Sequence, residues 1–460
     1  MDTKKLRQKI LDLAIRGKLV PQDPNDEPAS VLLERIRAEK EQLIKEGKIK
    51  RSKKSAATDK SHYENVPFEI PESWCWTTLG EVGKWQSGAT PSRLCKEYYG
   101  GDIPWLKTGD LNDGYITDIP EYITQKALKE TSVKLNPAGS VLIAMYGATI
   151  GKVGILTFPA TTNQACCACV EYEATDQQYL FYFLLSHKEN FIRQGGGGAQ
   201  PNISKEKIVE TLLPLPPFNE QKRIVNEVEK WFSIIDKIES GIIELESYVK
   251  QTKSKILDLA ISGKLVPQDP NDEPAIELLK RINPAFQPCD NSHYGNLPQG
   301  WVVCRLEDVC QICDNQRQPI NSTERQERKK RAQTLYPYYG ATGQVDWIDD
   351  YMLDGTFILL GEDGAPFLEK FADKAYVVSG KIWVNNHAHI LKPNCDITYL
   401  TYYLNRYDYS KCVNGSTRLK LTQADMKNMT IVLPPLVEQH RIAGRIENIF
   451  RMLDAITAEL

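Results

Sequence analysis

Apolar residues between positions 220 and 262 recur at alternating spacings of three and four. This pattern predicts one long amphipathic helix with a heptad seam. At 1.5 Å per residue, the helix would be about 64 Å long. Gly241 and the polar Thr252 are its weak points. The apolar seam positions are Val228, Trp231, Ile235, Ile238, Ile242, Leu245, Val249, Ile256 and Leu259.

The segments on either side of this helix have a different pattern. Residues 61–215 and 292–433 contain short apolar runs separated by Gly, Asn and Asp. Runs such as VLIAMYG from Val141 and TFILLGEDG from Thr356 are typical of buried strands followed by turns. The pattern in each segment therefore predicts a curved, β-rich domain with some helix.

The chain contains an internal duplication. The run KILDLAIRGKLVPQDPNDEPA from Lys9 returns as KILDLAISGKLVPQDPNDEPA from Lys255, and the one difference is Arg16 against Ser262. Such repetition indicates two copies of one structural unit.

Two further pairs repeat in the same order. PPFNEQKRIV from Pro216 returns as PPLVEQHRIA from Pro434, where each opens a helix. SHYENVPFEIPESW from Ser61 and SHYGNLPQGW from Ser292 open the two β-rich segments. The chain therefore has the order end-piece, variable block and helix, twice over.

The end-pieces continue the heptad seam of the central helix. The C-terminal positions are Ile442, Ile446, Ile449, Leu453 and Ile456, and the N-terminal ones are Leu6, Ile10 and Leu13. Joined in space, the two ends would rebuild the central helix and lie beside it. The predicted fold class is α+β: two β-rich domains separated by an antiparallel coiled coil of long repeated helices, in a pseudo-twofold, circularly permuted repeat.

Composition narrows the class of protein. The net charge of −3 and pI near 6.2 count against a strongly basic nucleic-acid-binding chain. An average can, however, hide a basic face, and partner proteins can supply part of the positive potential that binds DNA. There is no run of about 18 apolar residues and no signal-peptide-like N-terminus. These features predict a cytoplasmic protein with no membrane contact.

The cysteines and histidines predict no metal site. Eleven cysteines, an odd number, favour reduced thiols in a signal-free chain. Cys310 and Cys313 form a C-x-x-C without a second pair at zinc-ribbon spacing, and His387 and His389 have no evident third ligand. The run TNQACCACVEY from Thr162 predicts a buried strand in which thiols act as small apolar groups.

The helical spacer, the two variable blocks and the repeated EQ-x-R-I helices together resemble the specificity subunit of Type I restriction-modification systems. The resemblance extends over essentially the whole chain. It implies that each block is a target recognition domain that reads half of a split site in double-stranded DNA, while the helices set the distance between the halves. The C-terminal helix is shorter than the central copy, which affects what docks there.

The resemblance also implies partners and cofactors. Two modification subunits that methylate adenine with S-adenosylmethionine would flank this chain, and restriction subunits would join them. No cofactor is expected in this chain, because S-adenosylmethionine, ATP and Mg would be bound by partner subunits. The implied divisions are an N-terminal segment 1–60, recognition domains 61–217 and 291–434, a helical spacer 218–290 and a C-terminal helix 435–460.

Amides and cations in loops of the two blocks are the candidate DNA-binding residues, because such groups suit base edges and phosphates. Gly197 to Ser204 aligns with Gly415 to Thr422, so that Gln200 and Asn202 face Arg418 and Lys420. The first block also offers Lys107, Thr108, Asp110, Tyr146, Asn163, Gln164 and Lys205. The second also offers Tyr339, Thr342 and Lys381.

Two basic runs, Lys45 to Lys60 and Arg325 to Arg331, are either solvated surfaces or phosphate contacts. GATIGKV from Gly147 lacks the spacing of a phosphate-binding loop, and the sequence has no NPPY or DPPY methyltransferase motif. No catalytic residue is therefore predicted. Open alternatives are a methylation-only or Type IIB-like system, a fused enzyme with an unrecognised centre, and a pure coiled-coil scaffold.

Overall fold

The structure is a computed structural model of the chain. It describes residues 1–47, 66–171, 175–196, 202–290, 297–415 and 418–459. Two compact units divide the chain, Met1–Ser240 and Gly241–Leu460. Gln200 and most of the basic run from Lys45 to Lys60 lie outside the described residues. Within the described parts, no helix has both the length and the apolar character that crossing a membrane requires.

The first unit combines helices from both of its ends with a central set of strands. Its helices are α1 (Thr3–Ile15), α2 (Ala29–Lys45), α3 (Leu79–Val82), α4 (Gln125–Glu130), α5 (Gln177–Ser186), α6 (Lys188–Gly195), α7 (Lys205–Val209) and the beginning of α8 (Phe218–Ile261). Its strands are β1 (Cys75–Thr78), β2 (Gly83–Ser87), β3 (Tyr99–Leu106), β4 (Gly114–Ile116), β5 (Tyr122–Ile123), β6 (Leu135–Asn136), β7 (Val141–Ala144), β8 (Val153–Leu156), β9 (Ala160–Thr162), β10 (Cys166–Glu171) and β11 (Leu212–Leu215).

The second unit repeats this plan. Its helices after α8 are α9 (Ala275–Ile282), α10 (Leu306–Val309), α11 (Ser322–Arg331), α12 (Ile397–Arg406), α13 (Gln423–Lys427) and α14 (Leu436–Ala458). Its strands are β12 (Val302–Arg305), β13 (Cys310–Ile312), β14 (Tyr336–Gly340), β15 (Gly343–Ile348), β16 (Leu353–Gly361), β17 (Ala375–Val384), β18 (Ala388–Pro393), β19 (Val413–Asn414), β20 (Lys420–Leu421) and β21 (Thr430–Leu433). Short 3₁₀ helices occupy Lys96–Tyr98, Thr108–Asp110, Gly147–Thr149, Asp314–Gln316 and Tyr409–Lys411.

Most strands in the sheets of the two units correspond, while β4 and β6 of the first unit have no counterpart among the described residues of the second. The first unit has the orders β2-β10-β7-β8-β4 and β5-β3-β9-β6, and the second has β13-β18-β16-β17-β14-β15. β17 corresponds to both β8 and β9, because it pairs with β16 and with β14 and continues through Gly380, whose φ is +87°. Both units contain a corresponding parallel pair, β3 with β9 and β14 with β17, and the first unit has a second parallel pair, β4 with β8. The prediction of two β-rich domains with some helix is confirmed.

The same helix cap and tyrosine recur in both units. α5 and α12 begin after Asp176 and Asp396, whose carboxylates accept hydrogen bonds from the amides of Tyr179 (3.0 Å) and Tyr399 (2.7 Å). Each buried tyrosine then donates its hydroxyl to a carbonyl of the last strand of its unit, β11 or β21. A satisfied hydroxyl can be buried at little cost, so the helix is fixed against the sheet.

The repeated Glu-Gln pair attaches each β-rich region to a helix. Gln221 accepts a hydrogen bond from the amide of Asp176 (2.8 Å) and donates one to the carbonyl five residues earlier (3.0 Å). Gln439 makes the same two bonds, with the amide of Asp396 (2.9 Å) and the carbonyl five residues before it (2.8 Å). Both glutamines are completely buried, so neither bond can be replaced by water.

The repeated glycine in AI-x-GKLV ends a helix against a proline. Gly17 and Gly263 have φ values of +66° and +68°, which favour glycine. A Cβ atom would lie 2.5 Å from the Pro71 ring in the first unit and 2.4 Å from the Pro298 ring in the second. Both the turn and the close approach explain why this residue is identical in the two copies.

Antiparallel pairing with α8 occurs within each unit. In the first, Arg7 pairs with Asp236 (2.6 Å) and Gln22 donates to Glu220 (2.7 Å), so residue numbers rise on one segment as they fall on the other. In the second, α14 pairs with α8 through Asp454 and Lys253. Gln268 donates to Glu438 in the place that corresponds to Gln22 and Glu220 (3.1 Å).

The predicted heptad seam consists of two rows of residues, each row with a spacing of seven. In the first unit the prediction is correct for one row only, the row that contains Val228 and Ile235. Val228 and Ile235 are buried, but Trp231 and Ile238 are 40% and 36% exposed. Phe232, one position along, packs against the core instead, with its ring 5.8 Å from that of Tyr182 on α5. The row shifts because α8 packs on a globular sheet-and-helix surface as well as on α1, whereas the prediction considered a helix partner alone.

Candidate nucleic-acid interface

Loops at one edge of the first unit are joined by backbone hydrogen bonds. Asn163 N donates to Leu106 O (2.9 Å), where the parallel strands β3 and β9 both end. Met145 N donates to Ala165 O (2.8 Å), and Ile203 N donates to Met145 O (2.9 Å). We call this edge the first rim; it comprises residues 107–110, 145–146, 163–165 and 202–205.

The second unit has the same three bonds. Asn385 N donates to Tyr339 O (3.1 Å), Glu362 N to His387 O (2.8 Å) and Leu421 N to Glu362 O (2.8 Å). We call this edge the second rim; it comprises residues 339–342, 362–364, 385–387 and 418–421. The two rims are one backbone arrangement that carries two sets of side chains.

An internal alignment of the blocks could have found these loops. Tyr146 lies opposite Asn202 in an isolated bridge, and Asp363 lies opposite Lys420 in the same way. Each is followed by a left-handed glycine and an alanine, in YGA and DGA, with φ of +66° and +76° at the glycines. The shared asparagine of TNQA and VNNH is a second signal. Four residues of the second rim were not among the predicted DNA-binding residues: Glu362, Asp363, Asn385 and His387.

Two of the predicted residues in the first rim have structural contacts. Asp110 accepts a hydrogen bond from Lys107 N (2.8 Å) and so closes the short helix that contains Thr108. The Lys107 ammonium is half-exposed and pairs with Glu121 at 2.8 Å. Asp110 therefore shapes the loop, while Lys107 is a cation that an incoming phosphate can draw away from Glu121.

The other first-rim residues present amide, hydroxyl and cationic groups. Tyr146 and Asn202 are exposed. The Asn163 amide oxygen is buried without a hydrogen-bond partner among the described residues, while Gln164 is exposed and accepts from the hydroxyl of Thr90. Lys205 is the first residue of α7; it follows the helix cap Ser204 and lies three positions after Asn202. The structure thus brings the described candidates of the first block together, and Gln200 lies outside the described residues.

Arg418 is held in a defined orientation on the second rim. Its Nε atom lies 2.6 Å from a carboxylate oxygen of Asp363, and its guanidinium covers Gly364. A groove of about 790 Å³ is lined by Arg418, Thr342 and His387, among others. Because Nε is occupied, the two terminal nitrogens of the guanidinium remain for a ligand in that groove.

Lys420 and Tyr339 belong to the same edge, whereas Lys381 does not. Lys420 pairs with Glu362 at 3.2 Å, and the Tyr339 ring packs 6.0 Å from that of Tyr376. Lys381 lies opposite Asp354 in the register of β16 and β17, and its ammonium lies 4.5 Å from the centre of the Tyr351 ring. The structure therefore groups Tyr339, Thr342, Arg418 and Lys420 and leaves Lys381 with a different set of neighbours.

Three potential metal ligands, one of them the rim residue Glu362, meet at the second rim. Each of Asp314, Glu362 and His389 offers one potential ligand atom, and these three atoms lie within 4.8 Å of one another. His389 Nδ1 is 2.6 Å from Asp314, and Arg317 hydrogen-bonds to Glu362. Burial alone would raise the pKa of the Asp314 and Glu362 carboxyls, but the neighbouring His389 and Arg317 outweigh it and lower both pKa values. Because Arg317 and Lys420 already pair with the carboxylates, the cluster is a closed network of ion pairs and hydrogen bonds.

The basic run of the second block forms α11 and is largely paired. Arg325 and Lys329 contact Asp346, and Arg328 contacts Asp349, at 2.6 to 2.7 Å. Burial would raise the pKa of Asp346, but hydrogen bonds from the two cations lower it to about 2. The last two residues of α11 are cationic and exposed. Most of this run is thus a set of ion pairs on the surface of β15.

The cysteines lie where the sequence predicted. Cys166, Cys167 and Cys169 are fully buried on β10, and Cys310 and Cys313 are buried free thiols. Burial raises the pKa of Cys167 to about 12, which makes it a poor nucleophile. These thiols act as small core residues.

Comparisons with known proteins agree with this arrangement. A family model described as the Type I restriction modification DNA specificity domain matches residues 71–247 and 298–460. The Type I restriction enzyme EcoEI specificity subunit of Escherichia coli is 27% identical over 557 aligned positions, covering 99% of this chain and 90% of that protein. The EcoAI specificity subunit of Escherichia coli is 31% identical over 376, covering 66% of this chain and 62% of that protein.

Solved structures share the fold. A chain from a study of complex assembly in the type I R-M system has a TM-score of 0.57 at 20% identity, covering 85% of this chain and 94% of its own length. The HsdS subunit from Thermoanaerobacter tengcongensis has a TM-score of 0.50 at 19% identity, with coverages of 86% and 93%. At these identities the likeness shows the fold alone.

Proposed function

This chain belongs to the family of DNA specificity subunits of Type I restriction-modification systems, and we propose that each of its two rims reads one half of a split DNA site. Its role is sequence-specific DNA recognition, and the chain is not itself the catalyst. The observation that carries the proposal is the pair of rims, which share their backbone bonds and differ in their side chains. A common scaffold with divergent polar groups suits two readers of different sequences.

The chemistry of each rim suggests how its residues divide the work. Arg418, with Nε fixed by Asp363, has two terminal nitrogens that match O6 and N7 of guanine. Asn202 in the first rim has an amide that matches N6 and N7 of adenine. Lys420, which Glu362 holds, suits the edge of a guanine as well, whereas Lys107, a paired cation, and Lys381, away from the second rim, suit phosphate.

The direct test is selection of bound DNA from a randomised pool by the assembled complex. We expect a consensus of two specified segments separated by an unspecified gap of fixed length. One uninterrupted consensus would contradict the two-reader proposal. Repeating the selection with Arg418→Ala should alter one segment only, which would assign the second rim to that segment.

We further propose that two modification subunits dock on equivalent apolar stripes. α8 in the first unit and α14 in the second each carry three apolar residues on an outward face, and duplicated exposed apolar patches are typical of protein interfaces. The residues are Trp231, Ile234 and Ile238 on α8 and Ile449, Met452 and Ile456 on α14; Ile449 is half-buried and the other five are exposed. Restriction subunits would join through the modification subunits.

Charged substitutions test this docking. Trp231→Glu should remove one modification subunit and Met452→Glu the other, which light scattering of the mixed subunits would detect as a loss of one subunit mass each. Lys230→Glu, an exposed neighbour that pairs with Glu227, is the matched control and should keep the full mass. Unchanged mass for both apolar variants would contradict the assignment.

Under this proposal S-adenosylmethionine, ATP and Mg are bound by the partner subunits. We expect the purified chain alone to transfer no labelled methyl group to DNA and to gain activity when modification subunits are added. Methyl transfer by the chain alone would overturn the proposal.

A further inference from the structure

The second rim is supported by buried charges that the reading role itself does not explain. Asp314 and His389 are nearly or completely inaccessible, and Glu362 has a side chain that is 12% exposed. Arg317 pairs with Glu362 and also lies 3.5 Å from Asp314. Removing so many charges from water is costly unless each finds a partner, so the arrangement has to be held by specific bonds.

The first unit has no charge at the corresponding positions. Ser87 pairs with Cys167 across β2 and β10, at the register that brings Asp314 and His389 together in the second unit. Met145 follows β7 where Glu362 follows β16. The fold therefore forms without the ionic cluster, and stability of the shared scaffold does not require it.

The cluster instead holds residues 420–423, which lie on or next to the second rim. Three contacts reach this short segment from three different members of the cluster. They join His389 Nε2 to Leu421 O (3.0 Å), Gln423 Nε2 to Asp314 Oδ2 (2.9 Å) and Lys420 Nζ to Glu362 Oε1 (3.2 Å).

We propose that Asp314, Glu362 and His389 are positioning residues for recognition of the second half-site. The inference rests on the proposed function of the second rim. By fixing residues 420–423 before DNA arrives, the cluster reduces the conformational entropy that binding would otherwise cost. Because the first rim lacks these charges, the dependence is confined to one half of the site.

Glu362→Gln in the full complex is the decisive variant, since it keeps the shape and removes the charge. The measurement is the ratio of binding constants for DNA with a correct and with an altered second half-site. We expect this specificity ratio to fall roughly tenfold, within the range that one well-placed base contact supplies. The ratio for the first half-site should change less than twofold. Cys167→Ala, which alters the uncharged counterpart of His389, is the matched control and should leave both ratios unchanged.

A double-mutant cycle separates positioning from general stability. If Glu362 acts through Lys420, Glu362→Gln should have little further effect in a Lys420→Ala background. An effect that persists in full there, or an equal loss at both half-sites, would overturn the inference. Arg418→Ala is the benchmark: if it lowers the second ratio while Glu362→Gln does not, only this inference fails. If neither variant affects one half-site selectively, the proposed function of the rim fails as well.

Discussion

The two units of this chain are nearly identical where the β-rich region meets the helices and different along their rims. At the attachment, Gln221 and Gln439 make the same two hydrogen bonds, with lengths that agree within 0.2 Å. At the rims, Tyr146 stands where Asp363 stands and Asn202 where Lys420 stands. This is the pattern expected of a duplicated protein in which both units need the same geometry but different specificities: the attachment residues stay the same and the rim residues differ.

The difference in burial explains why the two sets behave differently. The attachment residues are inaccessible, and a buried donor or acceptor that loses its partner costs about 1–3 kcal/mol. On the second rim, Arg418 and Lys420 form ion pairs through half-exposed cations, and pairs of this kind contribute little to stability. Arg418 is 59% exposed and Lys420 52%. Rim residues can therefore change without unfolding the unit.

The largest expected effect comes from exchanging a whole block. Replacing residues 298–433 with the equivalent block of another family member should change one half of the methylated site and leave the other half and the gap intact. The loss of binding to the original site should approach the ratio between specific and non-specific binding, about 10³ or more. Methylation mapping of DNA from cells that express the exchange checks this. A change in both halves would mean that the units do not read independently.

Next in size is loss of an attachment glutamine. Gln439→Ala leaves the Asp396 amide and a carbonyl unsatisfied, so the second unit should lose roughly 3 kcal/mol of unfolding free energy. Gln221→Ala should cost the first unit a similar amount. Urea denaturation followed by unit-resolved hydrogen exchange measures both. Val437→Ala, at an exposed position of the same helix, is the control and should change the stability by less than about 0.5 kcal/mol. Unequal losses would show that the attachments are not equivalent.

The sequence was sufficient for the two β-rich domains and the helices attached to them, because the attachment is encoded in identical residues. The repeats around Gly17 and Gly263 contain a turn that the structure shows to require glycine, and the repeated Glu-Gln pairs supply the buried hydrogen bonds. Heptad spacing located α8 but misplaced one of its rows. A helix that packs on both a helix and a sheet has its buried face set by neighbours distant in sequence, such as Tyr182.

The rims were only partly predictable. Aligning the last loop of each block paired Asn202 with Lys420 correctly, because that loop lies at a fixed distance before the repeated prolines. Asp314 and Glu362 could not be connected with His389 from the sequence, since 48 and 27 positions separate neighbours that meet only when β13, β16 and β18 pair. Lys381 was selected by residue type, and its neighbour Tyr351 became apparent only in the structure.

A single base-reading side chain should have a smaller effect. Arg418→Ala should cost roughly 1–3 kcal/mol of binding to DNA with the correct second half-site, if its two terminal nitrogens contact guanine. Competition binding at fixed salt, with DNA altered in one half at a time, measures this. Lys381→Ala removes the same charge away from the second rim and should weaken binding about equally for all sequences. Uniform weakening by Arg418→Ala would instead identify a phosphate contact.

The smallest expected difference between the units is their response to acid. The pKa values of Asp314 and Glu362 lie below their ordinary values of 3.8 and 4.5, and that of Asp346 is about 2. A carboxyl with a lowered pKa stabilises the folded state above its ordinary pKa, and this contribution is lost as the pH falls through the folded value. The second unit should therefore lose on the order of 1 kcal/mol of unfolding free energy between pH 5 and pH 3, after allowance for screening by solvent.

The first unit has serine and methionine in place of Asp314 and Glu362 and should lose nothing from those positions. Hydrogen exchange at β18 and β10 compares the two, and the combined variant Asp314→Ser, Arg317→Thr, Glu362→Met and His389→Cys, which copies the first unit, should make β18 behave like β10. Equal acid sensitivity of the two strands in the unaltered chain would show that the buried charges contribute no net stability.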